Sequence, residues 1–138
     1  MKIKLVMLVS LLALGFATNA NAGAVSDADS DLVPDAFDNC LDIPNGPGEA
    51  SNQVDTDVDG FGEACDPDYD QDIVVGLTDF SIFLGDFTTG TPANGTDHDG
   101  DGVTGLTDFS VFVTFFGNSP AVPGPSGLPC AGTAGCIP

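Results

Sequence analysis

Positive charge is almost missing from this chain. Lys2 and Lys4 are its only basic residues apart from His98, against 21 carboxylates, so the formal charge is −19. Without Lys and Arg there is nothing to neutralise phosphates, which excludes nucleic-acid binding and disfavours anionic membranes. A single histidine leaves no Ser/His/Asp or Cys/His constellation to assemble. The four cysteines include no Cys-x-x-Cys pair, which sets zinc aside. Glycines are plentiful, yet none follow a phosphate-cradling order. The paired carboxylates have no evident pocket in which to act as general acid and base, so no enzyme is expected.

Long apolar runs are also scarce, and the one present opens the chain. Lys2 and Lys4 precede the stretch Leu5–Ala17, and Ala20-Asn21-Ala22 follows it. A charged start, an apolar segment too short to span a bilayer and an A-x-A site together predict a signal peptide over residues 1–22. No later run approaches membrane-spanning length, so no membrane insertion is expected after cleavage. The mature chain is placed outside the cytoplasm, either secreted to the exterior or cell surface or held in a periplasm. Loss of both lysines leaves a side-chain charge of about −21. Crowded carboxylates resist a compact state. Cations must come from solvent, and four divalent ions would bring the sum to about −13.

The carboxylates are not scattered. Asp97–Asp108 reads D-H-D-G-D-G-V-T-G-L-T-D, with Asp97, Asp99, Asp101 and Asp108 at positions 1, 3, 5 and 12 of an EF-hand-type calcium loop. Val103 offers a carbonyl at position 7, and Gly102 stands at position 6, where the chain turns sharply. Asp68–Asp79 repeats the pattern with Asp68, Asp70, Asp72 and Asp79, and with Val74 at position 7. Asp55–Asp66 places Asp55, Asp57, Asp59 and Asp66, with Phe61 at position 7 and Glu63 at position 9. Asp27–Asp38 places Asp27, Asp29, Asp31 and Asp38, with Val33 at position 7 and Asp35 at position 9. A hard cation takes six to eight oxygens, and these segments supply them in register. Up to four calcium ions are expected. His98, at position 2 of its loop, is expected to point outward.

Cys40, Cys65, Cys130 and Cys136 fit an oxidising compartment and allow three pairings. Cys40 follows one acidic loop and Cys65 lies inside the next, which favours Cys40–Cys65, with Cys130–Cys136 closing a small ring. Between the first two loops little is apolar beyond Leu41, Ile43 and Val54. Neither helix nor strand of normal length is expected there. Metal ligation and a disulfide must replace a core.

Residues 67–117 contain an internal repeat: Gly76-Leu77-Thr78-Asp79-Phe80-Ser81-Ile82-Phe83 is matched by Gly105-Leu106-Thr107-Asp108-Phe109-Ser110-Val111-Phe112. Phe80, Phe83, Leu84 and Phe87, like Phe109, Phe112, Val113 and Phe116, fall at helical spacing and read largely as core. Strict alternation, the mark of a strand, fails at Phe115-Phe116. Asn94-Gly95 reads as a tight turn, and Asn94-Gly95-Thr96 matches an N-glycosylation acceptor. Residues 118–138 are rich in Pro and Gly and are expected to be extended or coiled.

Asp27 through Cys40, then Asn52-Gln53 with Asp55 through Asp66, resemble the thrombospondin type 3 repeat. Leu32 and Val58 stand where that family commonly has glycine, and Glu63 replaces an aspartate. The resemblance covers residues 23–66 and implies calcium wrapped by irregular backbone, a disulfide between repeats and a role in extracellular adhesion or spacing. Residues 67–117 resemble a dockerin type I domain, two loop–helix repeats that each hold calcium. That likeness implies a cohesin-like partner in extracellular polysaccharide catabolism and a secreted bacterial source. The expected fold is small, calcium-stabilised and mostly irregular: a loop-rich thrombospondin type 3-like segment followed by an all-α, EF-hand-like or dockerin-like helix pair. Its expected partner is an extracellular protein, cohesin-like or on a surface, or a glycan.

Overall fold

The computed structural model describes residues 25–137, so the expected signal peptide at 1–22 lies outside the described residues. Helix α1 spans Leu77–Thr89 and helix α2 spans Leu106–Phe116. The remaining regular structure is two three-residue 3-10 turns, Asp35–Phe37 and Glu63–Cys65, and there is no strand among the described residues. Both helices begin at the end of an acidic loop. Asp79 accepts the Gly76 N–H and Asp108 the Gly105 N–H, each at 2.7 Å. An acid there meets the positive end of the helix dipole. Gly90, at φ 67°, closes α1 in the left-handed conformation. No helix among the described residues is long and apolar enough to cross a membrane.

The core is built on Phe83 and Phe112, both almost fully buried, with ring centroids 5.6 Å apart. Tyr69 stacks on both, at 6.5 and 6.2 Å. Phe115, Val75, Ala64 and the half-cystines Cys40 and Cys65 complete the same cluster. The disulfide of the loop-rich segment therefore shares a core with the helices. The phenylalanine stripe is less buried than its spacing suggests. Phe87 and Phe116 remain 37% and 42% exposed, because two short helices cover only the inner part of each other's face.

Asp86 organises the link between the helices. It accepts the Asn94 backbone N–H and side-chain amide, each at 3.0 Å, and the Thr96 hydroxyl at 2.9 Å. The segment after α2 has no regular structure but is tied down by backbone bonds. Leu41 donates to Pro125, Gly124 to Cys65, Gly127 to Asp38, and Val75 to Ala121, at 2.8–2.9 Å. Gly127 must be glycine, since a Cβ there would lie 1.6 Å from the Asp35 carbonyl oxygen.

Both favoured disulfides are present, Cys40–Cys65 and Cys130–Cys136. The first spans 25 residues, and a loop of that length stabilises by about 3 kcal/mol in the chain-entropy account. We predict that the double replacement Cys40→Ser and Cys65→Ser lowers the unfolding free energy in urea, measured with calcium added, by about that amount. A loss below about 1 kcal/mol would show that the cluster holds without the bridge.

Candidate metal centres

The four acidic loops share one backbone scaffold. The position-1 carboxylate gathers amides from the turn that follows it. Asp27 accepts from Ser30, Asp31 and Leu32, and Asp55 from Val58, Asp59 and Gly60, at 2.7–3.3 Å. Asp68 accepts from Asp72 and Ile73, and Asp97 from Asp101 and Gly102, over the same range. The position-5 carboxylate then accepts the position-7 amide: Asp31 from Val33, Asp59 from Phe61, Asp72 from Val74, Asp101 from Val103, at 2.7–2.9 Å. The chain curls because positions 4 and 6 are both left-handed in every copy. Their φ values are 67° and 79° at Ser30 and Leu32, 61° and 92° at Val58 and Gly60, 59° and 67° at Gln71 and Ile73, and 74° and 87° at Gly100 and Gly102. Gly100 meets a second constraint, because a Cβ would sit 2.6 Å from the Ala50–Ser51 backbone.

This curl brings carboxylate oxygens together within 4.8 Å of one another in four groups. They are Asp27, Asp29 and Asp31; Asp55, Asp57 and Asp59; Asp68, Asp70 and Asp72; and Asp97, Asp99 and Asp108. Asp38, Asp66, Asp79 and Asp101 lie outside those trios. Asp79 also takes the Asp70 amide at 3.0 Å, and Asp108 takes the His98 amide at 2.8 Å, so each position-12 acid joins its loop to its helix. At position 9, Asp35 accepts the Ala28 amide at 2.8 Å, and Glu63 accepts the Thr56 hydroxyl.

Side chains outside the acidic pattern hold the first loop, and their role was not visible from spacing. Asn45 donates its amide N–H to Asp31 at 2.9 Å and its side-chain NH2 to Asn39 at 2.7 Å. Gln53 donates to Asp38 at 2.9 Å and to the Asn45 side chain at 2.6 Å. With all these donors in place, Asp29 Oδ2 and Asp38 Oδ2 are still buried without a partner. A buried, unpartnered carboxylate oxygen is costly. Two of them in one loop of hard oxygen donors fit a calcium ion, and Asp27, Asp29, Asp31 and Asp38 would hold it.

The electrostatics agree. Burial, ahead of any other cause, raises Asp29, Asp59, Glu63 and Asp97 above the usual carboxylate range. Asp66 is raised further, by burial and then by Asp59. Burial takes Asp55 and Asp68 to about 6, even though backbone amides pull both the other way. Without a cation the fold resists its own charges.

His98 corrects an expectation. It is 3% exposed rather than outward-facing, because position 2 of its loop packs on the second loop. Its Nδ1 meets the Glu63 carbonyl, which can only accept, so Nδ1 carries the hydrogen. Nε2 then accepts from the Tyr69 hydroxyl at 2.8 Å. Burial keeps the ring neutral by lowering its pKa and holds the Tyr69 hydroxyl protonated by raising its own. Three loops thus meet at one chain of hydrogen bonds.

Residues 26–46 and 54–80 match the thrombospondin type 3 repeat, a calcium-binding module of extracellular proteins. The match covers about a third of the chain and takes in the first three acidic loops. No curated protein and no solved structure matches.

Ile73 is β-branched at φ 67° where the fourth loop has Gly102, a strain of roughly 1–2 kcal/mol. Asp97–Asp108 should therefore bind calcium about tenfold more tightly than Asp68–Asp79. Calorimetric titration with Asp97→Ala should then report the weaker site, and adding Ile73→Gly should tighten it; no tightening would refute the strain argument. The folded, metal-free chain holds protons on Asp55 and Asp68 up to about 6, whereas unfolded carboxyls release them near 4. Metal-free stability should therefore be greatest below about pH 4 and fall as pH rises through about 6. Calcium, which needs ionised ligands, should reverse the trend. Thermal melts of metal-stripped protein across that range are the check, and a stability that rises toward neutrality would contradict it.

Proposed function

We propose that this chain is a secreted calcium-dependent structural module that mediates non-covalent attachment at a cell surface or in the extracellular matrix. The observation that carries this reading is the pair of orphaned carboxylate oxygens, Asp29 Oδ2 and Asp38 Oδ2, within a loop scaffold repeated four times. Bound calcium would supply the positive charge that the residues beyond Lys4 lack, and the chain's own amides would hold each ligand in place. We read the role as non-catalytic: the first carboxylate of each loop is engaged by the amides of its own turn rather than aimed at a substrate. The two disulfides suit an oxidising exterior.

A second reading, a dockerin-type component that plugs into a cohesin-like scaffold for extracellular polysaccharide catabolism, is favoured by one surface. Leu77 and Leu106 are each 73% exposed, and Leu84 with Val113 and Phe87 with Phe116 repeat the pairing across the two helices. Beside them lies an apolar groove of about 250 Å³, lined by Leu77, Phe80, Phe109, Phe112, Val113 and Phe116.

The first test is structural. Circular dichroism of metal-stripped protein at neutral pH should show little helix, rising as calcium is added. Equal helix in both states would remove the basis of the proposal. The partner is then tested by pull-down from extracellular fractions with calcium and with chelator. A calcium-dependent surface protein or glycan supports attachment, and a cohesin-type partner supports the second reading.

A further inference from the structure

The second loop is gripped from both sides, and the outer grip comes from the tail. The amides of Val58, Asp59 and Gly60 face Asp55. The carbonyls of the same three residues face away, and each is taken. Val58 accepts from Gly135 at 2.7 Å and Cys136 at 2.9 Å, and Asp59 accepts from Gly132 at 2.8 Å. Gly60 accepts from the Ser126 hydroxyl at 2.7 Å. Among the described residues, the carbonyls at positions 4–6 of the other three loops receive no such bond. The contact is also close-packed: a Cβ on Gly60 would lie 2.4 Å from Cys136 Sγ, and one on Gly124 would lie 2.6 Å from the Phe61 ring.

We infer that residues 121–136 are a clamp that positions Asp55–Asp66 for calcium, and that this loop's affinity depends on it. The inference rests on the calcium reading above. The clamp meets a specific need. Position 4 must be left-handed, and Val58 is the one β-branched residue at that position, at φ 61°. A β-branched residue returns to ordinary backbone unless its surroundings hold it. If it did so, its amide would leave Asp55 and the Phe61 carbonyl would move from position 7. The Cys130–Cys136 ring carries three of the four donors, Gly132, Gly135 and Cys136, so closing the ring fixes their spacing before the loop is met. A pre-formed arc binds more tightly because it has less to reorganise.

The test is calorimetric calcium titration of residues 23–138, with Asp55→Asn identifying the heat of the second loop. A full-length variant with Ser126→Ala, Cys130→Ser and Cys136→Ser should weaken that site about tenfold and leave the third and fourth unchanged. Adding Val58→Gly to this variant should restore most of the loss, because glycine holds the turn unaided. A chain ending at residue 120 should show the larger loss, with its helix signal in circular dichroism confirming that α1 and α2 persist; where that signal is lost, the full-length variant decides. Unchanged affinity in the full-length variant, or no rescue by Val58→Gly, overturns the clamp. Absence of calcium binding by the intact chain overturns the calcium reading itself, so the two failures are distinct.

Discussion

Each acidic loop turns on the carboxylate at its first position. Asp27, Asp55, Asp68 and Asp97 collect backbone amides from the following turn, and those bonds demand a left-handed residue at positions 4 and 6. The same curl returns the next carboxylates toward the first, so it gathers negative charge as it gathers donors. Amides stabilise one carboxylate but do not balance a trio of them, and no Lys or Arg lies beyond Lys4 to do so. Everything else can be read as resistance to that repulsion. Asn39, Asn45 and Gln53 brace the first loop, the Cys40–Cys65 bridge ties it to the second, and Phe83 and Phe112 hold the last two loops back to back.

What could be read in advance was local. Twelve-residue spacing located the loops, a repeated Gly-Leu-Thr-Asp located the helix starts, and cysteine placement indicated the pairing. The left-handed residue at position 4 was marked only at Val58, which stands where the resembled family commonly has glycine; Ser30 and Gln71 do not signal it as glycine would. His98 was misplaced for a different reason. In an isolated loop position 2 faces water, but here its partner Glu63 arrives from 35 residues upstream. Helical spacing showed which phenylalanines share a face, not how little of that face a two-helix contact can cover. The tail was least legible, since most of its bonds join backbone to backbone, and such bonds leave no mark on side-chain pattern.

The joint at Tyr69 has an optical consequence. The chain contains no tryptophan and one tyrosine, and that ring packs against both Phe83 and Phe112 with its hydroxyl on His98. It belongs to the third loop, its hydrogen-bond partner to the fourth, and the far end of the bridge to the second. The phenol absorption and emission of the molecule therefore arise at the point where three loops join. A change in the polarity or asymmetry around this phenol reports their assembly directly, while far-ultraviolet signals average over the whole backbone. The molecule carries its own chromophore at its junction, without a label.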